Sequence, residues 1–178
     1  DDGINLNIAV NVSADQFRQP ALYEKIITIL QETEVDPTSV ELEVTESITI
    51  EDFSKTINLL NKFRDYGLNI CIDDFGTGYS SMTYLQKIPI HKLKIDKSFI
   101  DNIHLDIDSA SITKAIIALA HNLSLIVVAE GVETKAQYEY LNAINCDEAQ
   151  GFFLSKPLPP DELIKHILMY NSRATKTN

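Results

Sequence analysis

No apolar run in the sequence is long enough to cross a membrane, and no charged-then-apolar stretch opens it. The expectation is a cytoplasmic domain, whatever membrane anchor a parent protein carries elsewhere. Cysteine is scarce. Cys71 and Cys146 lie far apart with no metal-type spacing and read as reduced thiols. Basic residues are in deficit: 15 Lys and Arg against 26 Asp and Glu give a net charge of −11. Such a surface repels a nucleic-acid backbone, which argues against a polymer-binding module with a basic groove. It leaves room for a small phosphate ligand held through metal ions, because hard cations need carboxylates.

What is present suits one soluble domain with a real core: 178 residues, 44% of them hydrophobic and 23% charged. Strand-length apolar runs occur at 4–12, 40–44, 68–72, 92–95, 125–129 and around 149–153. Helix-like patterns follow each of them, at 20–33, 52–66, 80–87, 109–122, 135–144 and 160–170. Ser109, Thr134 and the Pro160-Asp161-Glu162 run suit helix starts, and Gly67 suits a helix stop. Residues 172–178 form a polar tail.

This alternation predicts an α/β fold of parallel strands with helical crossovers, either an open doubly wound sheet or a (β/α)8 barrel. The "GTG" at 76–78 lacks the spacing of a dinucleotide fingerprint or a P-loop and adds nothing to the nucleotide-fold reading. A barrel has eight units in about 250 residues. Six are visible, so the expectation is that two N-terminal units are missing and that residues 1–171 are the C-terminal three-quarters of the domain.

The strands carry one apolar face each: Ile8, Val10 and Val12, then Leu42 and Val44, Ile70 and Ile72, Leu93 and Ile95. Polar residues on the other face gather at the C-terminal ends: Asn11, Glu43, Asp73 with Asp74, Lys94 with Asp96, Glu130 and Glu133, and Gln150. In a barrel that rim carries the chemistry. Carboxylates collected there need cations. An all-oxygen donor set suits Mg²⁺, Mn²⁺ or Ca²⁺ better than zinc, and His91, His104, His121 and His166 fall away from the strand ends. Adjacent Asp73 and Asp74 read either as a solvated turn or as a pair that lets one carboxylate bridge two ions about 3.5–4 Å apart, the arrangement of phosphodiester cleavage.

The ordered set "NVS", "ELEVTES", "IDDFGTGYSS", "LKIDKSFI", "AEGVET" and "QGFFLSKPLP" resembles the EAL-domain family of cyclic-di-GMP phosphodiesterases across essentially the whole chain. The resemblance implies a modified TIM barrel that hydrolyses cyclic di-GMP to linear pGpG with Mg²⁺ or Mn²⁺. It implies that Asn11, Glu43, Asp73 and Asp74 are metal ligands, with Asp73 as the bridge. Glu130 matches a glutamate assigned to the second metal or the attacking water and proposed as general base. Lys94 matches the lysine on the attacking water or scissile phosphate. Glu46 matches the anchor of the loop at 75–81, which the family also uses in homodimer contacts. Asp96, Glu133 and Gln150 match further active-site positions, and Pro157 lies near a guanine-binding segment. Attached sensor or GGDEF domains are implied for a parent protein.

The sequence contains no "EAL" tripeptide, and the family's namesake glutamate and a downstream phosphate-contacting arginine find no match. The loss coincides with the two absent units, so truncation is the expectation, with this chain at best weakly active. An EAL-like module that binds cyclic di-GMP or a protein without turnover is the alternative. An enolase-type metal enzyme fits the acids but not the ordered motifs.

Overall fold

Short stretches in which Val, Ile and Leu alternate with polar residues become six parallel strands, and amphipathic helices carry the chain back between them. The computed structural model describes residues 6–46, 48, 53–78 and 82–174. Its strands are β1 (Ile8–Val12), β2 (Val40–Thr45), β3 (Asn69–Phe75), β4 (Lys92–Ile95), β5 (Ile126–Ala129) and β6 (Glu148–Ala149). The helices are α1 (Ala14–Phe17), α2 (Leu22–Thr33), α3 (Phe53–Tyr66), α4 (Met82–Leu85), α5 (Lys97–Ile100), α6 (Ile107–Asn122), α7 (Lys135–Ala143) and α8 (Pro160–Ala174).

Every strand pairs in parallel with the next, in the order β1-β2-β3-β4-β5-β6. This is a partial (β/α) barrel, with β1 and β6 as its edges. Leu42, Val44, Ile70, Ile72, Leu93 and Ile95 all lie at 2% exposure or less, so the apolar faces read from the sequence are the core faces. Helix residues three or four apart meet them, as Thr56, Leu60 and Phe63 do from α3. Removing each such side chain from water stabilises the fold by about 1.5–3 kcal/mol. Edge strand β1 differs: Ile8 is 57% and Val10 46% exposed.

Several boundaries depart from expectation. The last strand is only Glu148–Ala149, because the apolar "GFFL" that follows makes turns. Phe153 N–H donates to Val132 O and Leu154 N–H to Gly151 O. A Cβ on Gly151 would lie 2.2 Å from Val132 O, so the backbones approach too closely for any side chain there. Helix α6 starts at Ile107 rather than Ser109, since Asp106 is the cap and accepts from Ser109 N and Oγ. Thr134 caps α7 as expected, and Gly67 ends α3 at a φ of +109°. Helix α8 runs on to Ala174, into the expected tail, and residues 175–178 lie outside the described residues. So do 1–5, 51–52 and 79–81, where parts of the first strand, two helix starts and the glycine loop were expected. Among the described residues no helix is long and apolar enough to cross a membrane.

Candidate active site

Four strand ends converge on one ammonium. Lys94, on β4, places Nζ 2.9 Å from Glu43 Oε1 of β2, 3.1 Å from Asp73 Oδ1 of β3 and 2.6 Å from Glu130 Oε1 just past β5. Parallel register brings them together: residues of neighbouring strands that share a face project to the same side. The Lys94 side chain is only 5% exposed. Burial alone would lower its pKa, but hydrogen bonds to Glu130 and Glu43, with the charges of Glu130 and Asp73, outweigh it and raise it above the ordinary lysine value.

Three acids share that one cation, so negative charge is in surplus. Glu130 shows it: burial raises its pKa, and the charges of Asp73 and Glu43 add to that, against the lowering pull of Lys94. Asp74 is raised too, first by burial and then by the charges of Asp73 and Asp96. Carboxylate oxygens of Asp73, Asp74 and Glu130 lie within 4.8 Å of one another. An oxygen-only set with unneutralised charge fits a hard divalent cation.

Consecutive strand residues point to opposite faces, so Asp73 and Asp74 could not both reach one site from a regular strand. A bulge resolves this. Ile72 pairs with Leu93 and Phe75 with Ile95, so β3 holds one residue more than β4 over that interval. Asp74 takes up the extra length at a left-handed φ of +54°, a conformation Asp tolerates better than most residues, and its N–H donates to Asp73 Oδ1. Phe75 then returns to the core.

Glu46, buried just beyond β2, accepts from Gly76 N–H at 3.1 Å and Gly78 N–H at 3.2 Å through one oxygen. A Cβ on Gly78 would come within 2.9 Å of that carboxylate, and one on Gly76 within 2.7 Å of the Phe99 ring. The glycines therefore permit close seating of the loop, on Glu46 from one side and on α5 from the other.

The remaining expected site residues stand further out. Asn11 lies in register with Glu43 on β1 but is exposed. Asp96 caps α5, accepting from Ser98 N and Oγ, and its charge adds to what raises Asp74. Glu133 is held 2.6 Å from Lys97 on the rim. Gln150 is exposed, its backbone O accepting from Val132 N–H, and Pro157 is exposed in the irregular segment before α8. The sequence reading missed α5, Lys97 and Gln137. It missed as well a second charged layer beneath the site, where Lys92 meets Glu148 at 2.9 Å and Glu41 at 3.4 Å. There His91 Nδ1 accepts from Ile70 N–H, so Nε2 carries the proton given to Glu41.

The family model described as "EAL domain" matches residues 2–157. Signaling protein YkoW of Bacillus subtilis is 46% identical over 168 residues, 94% of this chain and 21% of that protein. Among solved structures, the PaMucR phosphodiesterase in its c-di-GMP complex superposes at a TM-score of 0.85 with 44% identity, covering 88% of this chain and 64% of that one. Klebsiella pneumoniae BlrP1 in its manganese and cyclic-di-GMP complex gives 0.79 at 29% identity, covering 86% and 39%. The chain spans between a fifth and a quarter of the length of the curated relatives it matches first.

Proposed function

The chain belongs to the EAL-domain family, and from that premise we propose that it is a metal-dependent phosphodiesterase domain opening cyclic di-GMP to linear pGpG. The observation that carries the reading is the Lys94 ammonium enclosed by Glu43, Asp73 and Glu130 at the C-terminal rim, with Asp74 brought alongside by the bulge.

Asp73, Asp74, Glu43 and Asn11, with Glu130, would hold Mg²⁺ or Mn²⁺, which when bound supplies Lewis-acid stabilisation and a more acidic water. The chain's own groups do the rest. Lys94 donates to an anionic phosphate oxygen or fixes the attacking water. Glu130, whose raised pKa makes it the stronger base, takes the water's proton as the oxygen adds to phosphorus. One P–O bond breaks, and the departing ribose oxygen takes up a proton, balancing the one Glu130 accepts, to end as a hydroxyl. Asp96, Glu133, Gln150 and Pro157 complete the rim, Gln150 and Pro157 toward the substrate. A homodimer through the loop at 75–81, and sensor or GGDEF domains in a parent protein, belong to the same proposal.

The test incubates the chain with cyclic di-GMP and Mn²⁺ or Mg²⁺ and separates products by ion exchange. Linear pGpG that vanishes with EDTA is expected. Binding without turnover in metal-saturated buffer identifies a receptor module instead.

Glu46→Ala is expected to lower turnover and metal affinity about tenfold while preserving the fold, because two loop amides lose their anchor. Calorimetric Mn²⁺ titration and circular dichroism check this. Unchanged affinity and rate would reduce Glu46 to a strand-end acid.

A further inference from the structure

Strand β4, with the segment leaving it, and the segment leaving β5 carry the two sides of the closest contact in the site, Lys94 to Glu130 at 2.6 Å. We propose that Gln137 is a positioning residue that ties these segments together and so sets the Glu130 carboxylate against Lys94; the catalytic part of this inference rests on the phosphodiesterase reading.

Gln137 sits in the first turn of α7 with 3% exposure. Its Oε1 accepts from Glu133 N–H and Thr134 N–H, both at 2.8 Å, and from Thr134 Oγ1 at 3.1 Å. Its Nε2 donates to Ile100 O at 3.1 Å and Asp101 O at 3.0 Å. Two amide donors on one side and two carbonyls on the other force the orientation of the side-chain amide.

The first half of this set is a helix cap. The second half has no role in capping α7, because Ile100 and Asp101 belong to the end of α5. Helix α5 starts three residues beyond Lys94, and the loop at 130–134 starts at Glu130 itself. The two segments are pressed together elsewhere as well. Lys97 of α5 pairs with Glu133, and its stem passes so close to Gly131 that a Cβ there would lie 2.3 Å from it. That pair is half exposed and screened, so it holds the loop weakly. Gln137 holds it with buried hydrogen bonds, and losing a buried partner leaves backbone groups unsatisfied.

The two halves can be separated. Gln137→Glu keeps an acceptor for Glu133 and Thr134, so α7 stays capped, but it sets a carboxylate oxygen against two carbonyls. The expected result for the intact chain is unchanged helix content and kcat about tenfold lower or more, with KM for cyclic di-GMP within about twofold. The deficit relative to wild type shrinks as pH falls, because the protonated carboxyl regains a donor. Amide hydrogen exchange accelerates at Asp101 and Ile103, whose N–H groups close the end of α5 on Lys97 O and Ile100 O, a readout independent of turnover. Wild-type kcat with a wild-type pH profile overturns the proposal. If the unaltered chain hydrolyses nothing, the phosphodiesterase reading is what fails, and exchange alone decides: unchanged protection of Asp101 and Ile103 in the variant removes Gln137's positioning role.

Discussion

Asp73→Asn is expected to lower turnover by about a thousandfold or more, equivalent to ~4 kcal/mol of lost transition-state stabilisation. Asn matches Asp in size, so packing against Glu43 and Lys94 survives while one charge disappears. That charge sits at the crossing of two relations, 3.1 Å from the Lys94 ammonium and within 4.8 Å of the oxygens of Asp74 and Glu130. A cation held by those groups would lose one of its ligands. The measurement is kcat for pGpG release at saturating Mn²⁺, with circular dichroism to establish the fold. A rate within tenfold of wild type would place the metal-binding centre elsewhere.

Lys94→Met reverses the problem by leaving the acids without their cation. Glu43 and Asp73 are nearly buried and Glu130 largely so, and removing one partner of a buried ion cluster costs about 3–5 kcal/mol. The sign with pH is fixed by the raised Lys94 pKa: its contribution is whole below about pH 10, the ordinary lysine value, and fades only as pH climbs through the folded value. The full loss is therefore expected at neutral pH. Urea unfolding in EDTA reads it out, and Mn²⁺ is expected to raise the variant's Tm more than the wild type's, since a divalent ion then supplies the missing positive charge. Equal stability of both proteins in EDTA would show that the Lys94 ion cluster adds nothing net to the fold.

The strand faces and the gathering of polar groups at one rim were legible because both follow from a period of two, which any parallel strand must obey. Helix α5 was not. "DKSFI" is too short for a helical period, and its Asp-x-Ser cap also reads as a turn. The same local ambiguity hid the Ser13–Gln16 capping box of α1, although the spacing was there. Gln137 carried a sequence signal as well, three residues after Thr134, but only for its cap; its bonds to Ile100 and Asp101 span 37 and 36 positions and have no local trace. The expected extension of the sixth strand to residue 153 failed for a different reason. Phe152, Phe153 and Leu154 are apolar enough for a strand, but the closeness of Gly151 to the Val132 backbone, and the bonds made there, turn the chain instead. Which acids meet Lys94 depended on register, and register across β3 shifts at one residue that no periodicity marks.

That one residue bears on how such a site can be acquired. Deleting Asp74 would restore equal spacing between β3 and β4 from Ile72 to Phe75, and every core side chain would keep its face. Read in the other direction, a single-codon insertion at a strand end adds a carboxylate to the rim without displacing anything from the interior. Most insertions within a strand flip all that follows to the wrong side. This one is absorbed by a single left-handed aspartate, so chemistry at the rim and integrity of the core are free to change independently.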